Sequence, residues 1–358
     1  MSLLVLTASD VARLTASIPT PQLLTQQARV FHALSSSSAQ QTIETPHRTA
    51  VTMPQHRALF MPSRIAGVGT AIKIVSVPTA AGDARGLPAS TLVLDEDTGA
   101  AIALVNARTL TALRTASGSV LSATLLHPPS TSRPTHVAAF GAGAQIHAHL
   151  MLLLSSYPTL THATIINRTL NARLSALLSS LRTTHPHVHF TAPTSAQSAD
   201  VEAAVRAADF ICTATSATAP LFPAEWVKAG AHVMLVGSYT PQMREVDGAL
   251  LRRAGAGGVV VDSRAACLVE AGELIAAGLR GEELTEVGEL VRATAGEGEG
   301  MEWAYEREEA RCEAVKRAGD VTVWKSVGVG AQDVAVVCAV VGMAREKGVG
   351  TLVEGYDA

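Results

Sequence analysis

Aromatic side chains are scarce in this chain, at 4% of 358 residues, while apolar residues make up 47%. A large core can be built, but mostly from Ala, Val and Leu. No stretch approaches the roughly 18–20 uninterrupted apolar residues of a membrane span. The opening Met1-Ser-Leu-Leu-Val-Leu6 has no basic leader and too short an apolar run for a signal peptide. Cysteine is also sparse: Cys212, Cys267, Cys312 and Cys338 are widely spaced and form no C-x-x-C. They read as reduced thiols of a cytoplasmic protein. A net charge of −3 argues against a general binder of nucleic acid or anionic membrane. There is no G-x-S-x-G elbow, no P-loop lysine and no interleaving of aromatic with basic residues. Hydrolase, kinase and nucleic-acid functions therefore have no local support. Twelve histidines invite a metal hypothesis. His185, His187 and His189 would share one face of a strand, while His147 and His149 would not share a helix face. Neither set has a Cys or carboxylate at zinc-ligand spacing, so no metal is expected.

What is present is organised around His136-Val-Ala-Ala-Phe-Gly-Ala-Gly-Ala-Gln145. It reads as a short apolar strand over Val137 to Phe140, a glycine turn, and a helix starting near Ala144. Gly141 allows the sharp turn. Gly143 lets a pyrophosphate approach the main chain, where the free N–H groups and dipole of the helix attract it. Ile146 stands where G-x-G-x-x-G would have its third glycine. A second buried strand, Ala163 to Thr169, follows and ends in Asn167-Arg168-Thr169. A carboxylate there would favour NAD(H). The position is Asn167, and the guanidinium and hydroxyl that follow it suit a ribose 2′-phosphate instead, so NADP(H) is favoured.

Upstream, Ser9 or Asp10 is expected to cap a first helix, and a second begins near Pro21. The run Ser35 to Ser38 reads as a loop. From Thr42 to Leu94 the apolar period shifts towards two. Strands are expected at Arg48 to Met53, Arg57 to Met61, Gly69 to Val77 and Ser90 to Asp95, in an antiparallel sheet, with a hairpin loop at Asp95 to Gly99. Lys73 interrupts an apolar strand. By alternation it faces solvent, or else it points into a cleft, where desolvation makes an acid/base group. A small-residue helix runs to Leu126 and carries Arg114, either an exposed helical arginine or one held among small residues to bind an anion. Pro128, Pro129 and Pro134 mark a linker.

Beyond the second strand, helices at Leu170 to Leu181 and Ala199 to Ala207 alternate with strands at Val188 to Thr191, Asp209 to Thr215, Gly230 to Ser238 and Val259 to Asp262. That alternation implies a parallel sheet covered on both faces. Glu282 to Arg317 reads as an exposed loop, including Gly296 to Gly300, and a charged surface helix over Glu302 to Arg317. A strand with a glycine turn at Val321 to Gly330 and an apolar helix, Val334 to Arg345, opened by Gln332-Asp333, close the pattern.

Several of these segments together resemble the ornithine cyclodeaminase/mu-crystallin family, from about Thr45 to Arg345. The carriers are Pro46-His-Arg48, Met61-Pro62, Lys73-Ile-Val, Asp97-Thr-Gly99, Leu113-Arg-Thr-Ala116, Gly141-Ala-Gly-Ala-Gln145 and Asn167-Arg-Thr169. Thr213-Ala-Thr215, Glu225-Trp226, Gly230-Ala-His232, Arg244-Glu-Val-Asp247, Val261-Asp-Ser263, Lys325-Ser-Val-Gly328 and Asp333 complete the set.

The resemblance implies an α/β homodimer subunit. A substrate and dimerisation domain of α+β type would comprise 1–127 with 321–358, built from the N-terminal part and the C-terminal helix. A Rossmann-type NAD(P)-binding domain would comprise 128–320. It implies that Arg48 and Arg114 hold a substrate carboxylate and that Lys73 transfers a proton at the reacting nitrogen and carbon. Thr115, Gly141, Gly143, Ala144, Gln145, Asn167, Arg168, Thr169, Thr215, Ser216 and Val236 would line the cofactor, with Ser326 near the nicotinamide or substrate. Tyr239 stands where ornithine cyclodeaminases carry an Asp for the substrate's distal amine. Like that departure, Asn-Arg-Thr at the second strand sides with the ketimine reductases of the family. The expected activity is NAD(P)H-dependent reduction of imino acids. Ornithine cyclodeamination and a non-enzymatic small-molecule binder are the alternatives.

Overall fold

The computed structural model describes residues 2–36, 42–79, 86–294 and 303–357. The segment Gly296 to Gly300 and, of the expected loop at Ser35 to Ser38, Ser37 and Ser38 lie outside them, while Ser35 ends a helix. The chain divides into two compact units, residues 1–114 with 328–358, and residues 115–327. The division falls inside the helix Arg108–Leu126, between Arg114 and Thr115. A continuous helix leaves no compositional mark of a boundary, and the prolines at 128–134 lie within the second unit.

The first unit is a mixed eight-stranded sheet covered on one face by helices Ala8–Thr15, Thr20–Ser35 and Gly330–Lys347. Antiparallel strands Ile43–Glu44, Thr49–Thr52, His56–Ile65, Gly69–Pro78, Ala89–Leu94 and Ala101–Asn106 form most of it. Three short strands of this unit, Leu3–Leu6, Ile43–Glu44 and Thr351–Val353, carry no readable signal in the sequence. Leu3–Leu6 pairs parallel with Ala101–Asn106, and Thr351–Val353 pairs antiparallel with Leu3–Leu6. Four residues are too few to display a period. The first helix is capped by Thr7 rather than by Ser9 or Asp10. Asp10 is instead the reciprocal member of a capping box, accepting from the Thr7 N–H at 3.0 Å. The core of this unit is aliphatic: Leu4, Leu6, Ala71, Val93, Ala103 and Val105 from the sheet meet Val334, Val337, Val340 and Val341 of the last helix.

The second unit is an all-parallel sheet of eight strands. By chain order the first five are His136–Phe140, His162–Ile166, His189–Thr191, Phe210–Thr213 and His232–Leu235. In space they run third, second, first, fourth, fifth, followed by Thr322–Lys325, Val259–Val261 and Leu284–Glu286. Three corrections arise here. Thr322–Lys325 belongs to this sheet, not with the C-terminal helix, because buried Val323 and Trp324 pair with strands on both sides. The segment 282–317 contributes the strand Leu284–Glu286 and a hairpin, Val291–Ala293 with Tyr305–Arg307, before a helix that spans only Glu309–Ala318. Of His185, His187 and His189, only His189 lies in a strand. Among the described residues no helix is long and apolar enough to cross a membrane. All four cysteines are free.

Candidate active site

In the first unit, alternation along Gly69–Pro78 puts Ala71, Lys73 and Val75 on the face covered by helices. Lys73 is 1% exposed, so its side chain is core-facing. Its Nζ lies 2.6 Å from Asp333 Oδ2. Asp333 comes from the first turn of Gly330–Lys347. Its other oxygen accepts from Arg114 Nε at 3.1 Å. Arg114, also buried, donates through Nη1 to Gln332 Oε1 at 3.0 Å. Gln332 in turn donates to Gln27 Oε1 at 2.9 Å. Its Oε1 also takes the Val329 N–H at 3.2 Å, closing the helix end. Every polar contact here is therefore made by a residue that the last helix or its approach positions.

The approach itself needs glycine. Gly328 has φ +83°, and a Cβ there would come 2.4 Å from Arg114 Nη1. Burial pushes the Lys73 ammonium down to about 7. The Asp333 carboxylate opposes that shift, while the positive charges of Arg114 and Arg48 add to it. Arg48, half-buried just before Thr49–Thr52, is thus electrostatically coupled to Lys73. Two buried cations share one buried carboxylate, so the cluster carries excess positive charge whenever Lys73 is protonated. Such a cluster attracts an anion and places a proton donor near neutrality beside it.

In the second unit, the helix Ala144–Ser156 starts directly after the first strand. Its N-cap is Gly143, which offers no side-chain cap to the first N–H groups of the helix. Gly141 has φ +113°, and an added Cβ would meet Ala214 O at 3.0 Å. Its glycine serves both the turn and the close approach of the fourth strand's end. No protein atom within 4 Å would obstruct a Cβ at Gly143. Packing therefore does not require that glycine. Ile146 is fully buried beneath the turn, with its side chain 3.5 Å from the Gly141 Cβ position. Gln145 Oε1 is buried with no partner among the described residues.

Asn167, Arg168 and Thr169 follow the second strand. Asn167 Nδ2 donates to Thr169 O at 2.8 Å, shaping the turn, and Asn171 caps the next helix. Arg168 is exposed. Thr215 and Ser216 follow the fourth strand, Val236 the fifth, and Thr115 is buried in its helix. All eleven candidate cofactor residues thus lie in one unit. Ten of them follow the carboxyl ends of strands in one parallel sheet, where α/β folds bind ligands. Ser326 is in this unit too, donating to Asp262 Oδ2 at 2.7 Å. Within the first unit the structure brings together Lys73 and Arg114.

Sequence reasoning did not single out Asp333, Gln332 or Glu245 as site residues. Asp333 carried a signal, an acidic residue in the first turn of a long helix, but that position is common for dipole reasons alone. Glu245 sits in a loop and is fully buried.

The family model for the ornithine cyclodeaminase/mu-crystallin family matches residues 4–348. The chain is 31% identical over 246 residues to the ketimine reductase mu-crystallin of Mus musculus, covering 68% of this chain and 66% of that protein. It is 33% identical over 195 residues to a Delta(1)-pyrroline-2-carboxylate reductase of Paracoccus denitrificans, covering 54% and 57%. The matched regions thus span less than two thirds of these relatives' own length. In fold, the chain resembles the Thermococcus litoralis Delta(1)-pyrroline-2-carboxylate reductase solved with NADH and L-proline. The TM-score is 0.78 at 23% identity, over 98% of this chain and 100% of that one. The chain belongs to the ornithine cyclodeaminase/mu-crystallin family.

Proposed function

We propose that this chain is a nicotinamide-dependent oxidoreductase that reduces imino acids, cyclic ketimines or imines of 2-oxo acids, to amino acids. The observation that carries the reading is the buried cluster of Lys73 and Arg114 on the single carboxylate of Asp333. Keeping such charges out of water costs several kcal/mol per ion, which packing alone gives no reason to retain. An imino acid supplies what the cluster lacks. Its carboxylate balances the excess positive charge, with Arg48 and Arg114 as the guanidinium partners. Lys73, poised at about 7, holds a proton for the imine nitrogen. A protonated C=N is the more electrophilic one.

The residues of the second unit fit a dinucleotide. The uncapped helix start after Gly143 and the backbone there suit a pyrophosphate. When bound, the reduced nicotinamide supplies the hydride that the imine carbon takes up. Arg168, exposed after the second strand and with no carboxylate among Asn167, Arg168 and Thr169, supports NADP(H) over NAD(H).

Tyr239 offers a phenol where ornithine cyclisation needs a carboxylate for a distal ammonium, which argues against the cyclodeaminase. Two relatives with imine-reducing names point the same way. Against a non-enzymatic binder stands the shifted Lys73: a binder needs a charge, not a proton donor near neutrality.

The subunit is read as half of a homodimer. On the sheet face away from the helices, Phe60, Ile72, Ile74 and Leu92 are only half-buried and Leu104 is 39% exposed. They lie side by side in register across four strands, Pro62 with Ile72 with Leu92 with Leu104. A contiguous apolar patch of that kind marks an interface. The free thiols suit a reducing compartment, the cytoplasm.

The test follows the absorbance of NADPH or NADH with a five- or six-membered cyclic ketimine carboxylate. Rapid consumption, faster with NADPH, is expected. No consumption with either, together with ammonia release from ornithine and NAD⁺, overturns the reading.

A further inference from the structure

We propose that Glu245 is a positioning residue that holds the ends of the fourth and fifth strands in place for the nicotinamide half of the cofactor. The inference rests on the nicotinamide-dependent reading above. The third-second-first-fourth-fifth strand order reverses at His136–Phe140. In sheets of this order a dinucleotide straddles the reversal. The residues Asn167, Arg168 and Thr169 follow the second strand, on the adenosine side. The nicotinamide half then falls to the fourth and fifth strands, whose ends carry Thr215, Ser216 and Val236.

Those two ends are joined by one buried carboxylate. Glu245 Oε1 accepts from Thr215 N at 2.7 Å and Thr215 Oγ1 at 2.8 Å. Its Oε2 accepts from Thr213 Oγ1 at 2.7 Å and Gly237 N at 2.7 Å. Four donors converge on a side chain with no exposure, which is what an ionised carboxylate requires to stay buried. Desolvation holds its pKa above the ordinary carboxylate value, and the charge of Lys325 and the donors oppose that rise only in part. The two ends also approach too closely for any side chain, since a Cβ on Gly237 would come 2.2 Å from Thr215 O.

The next residue is held as well. Lys325, fully buried, donates to Ser238 O at 2.5 Å and pairs with Glu273 at 2.9 Å. The Ser238 hydroxyl donates to Met243 O at 2.9 Å. The loop that carries Val236 and Tyr239 is therefore anchored from beneath at two consecutive residues. Glu245 itself touches no reacting atom in this scheme; it acts through Thr215 and Gly237.

A Glu245→Gln variant separates this role from general stability. The amide is the same size, but its nitrogen only donates. Whichever way it turns, it faces either the Thr215 N–H or the Gly237 N–H with a donor. Dissociation constants are measured by calorimetry on the full chain for NADPH, NADH and ADP-ribose fragments with and without a 2′-phosphate. KM and kcat are measured in parallel. Glu245→Gln is expected to weaken the intact dinucleotides at least tenfold and leave the fragments within twofold. Thr213→Val, which removes one donor and keeps its shape, is expected to shift the dinucleotides the same way by a smaller factor. Wild-type affinity for the dinucleotides in either variant overturns the proposal. Equal loss for fragments and dinucleotides also overturns it, since that is a global effect. Should the wild-type chain bind no dinucleotide, the cofactor reading itself has failed, an outcome the fragments and variants do not mimic.

Discussion

Lys73 and Arg114 take opposite oxygens of the Asp333 carboxylate, at 2.6 Å and 3.1 Å, so one side chain of the last helix orients both. The same carboxylate is what keeps the Lys73 ammonium from falling lower than about 7. Replacing it with an amide should make Lys73 neutral at pH 7. An Asp333→Asn variant is expected to lose at least tenfold in kcat for imine reduction at pH 7, with the loss shrinking as pH is lowered. An unchanged pH–rate profile would sink this assignment.

The wild-type profile has a definite sign. The proton donor must be charged, so imine reduction should fall as pH rises through about 7. The reverse oxidation of the amino acid needs the free amine and should rise over the same interval. Lys73→Ala should abolish both limbs. Full turnover in that variant would remove Lys73 from the chemistry.

Gly328→Ala should harm the site without touching it chemically. The position has φ +83°, and its Cβ would press on Arg114 Nη1. A strain of about 1–3 kcal/mol is expected, with a rise in KM for the carboxylate substrate larger than the fall in kcat. Thermal denaturation and steady-state kinetics on one preparation check both.

Acid should unfold this protein through its buried histidines. Burial pushes His127 and His149 down to about 4, and holds His232 well below its ordinary value. Each unfolded histidine takes up its proton near pH 6.5. The native state refuses it at His127 and His149 until about 4, so stability is whole above 6.5 and is lost as pH falls from there towards 4. At ~1.4 kcal/mol per unit per group, the loss is on the order of several kcal/mol. Urea midpoints between pH 7.5 and 4.5 measure it; a flat profile refutes it.

Two surface substitutions test the cofactor preference and the assembly. Arg168→Ser should lower the preference for NADPH over NADH by about tenfold, the value of one charge-assisted contact. Leu104→Glu, placed on the exposed sheet face, should convert a dimer to monomer in light scattering while leaving the monomer folded. A monomeric wild-type chain would reject the dimer.

The sequence by itself determined the elements whose signals are local. The turn at Gly141 to Gly143, the helix after it and the alternation of strand and helix from His136 to Val261 are each written within a few residues. Period and glycine chemistry act over that range. The covered face of Gly69–Pro78 was not legible, because a period of two has no sign: Lys73 on either face yields the same pattern. The face was decided by the helix Gly330–Lys347, which packs on one side of the sheet and sets Asp333, 260 residues away in sequence, against Lys73. Arg114 was ambiguous for the same reason, since its partners Gln332 and Asp333 lie 218 and 219 residues away. Glu245 was legible only as part of the Arg244-Glu-Val-Asp247 motif and not as a buried group, since a glutamate in a loop is ordinarily solvated. Only the convergence of two strand ends, made when parallel strands are laid side by side, gives its carboxylate four donors and a reason to be buried.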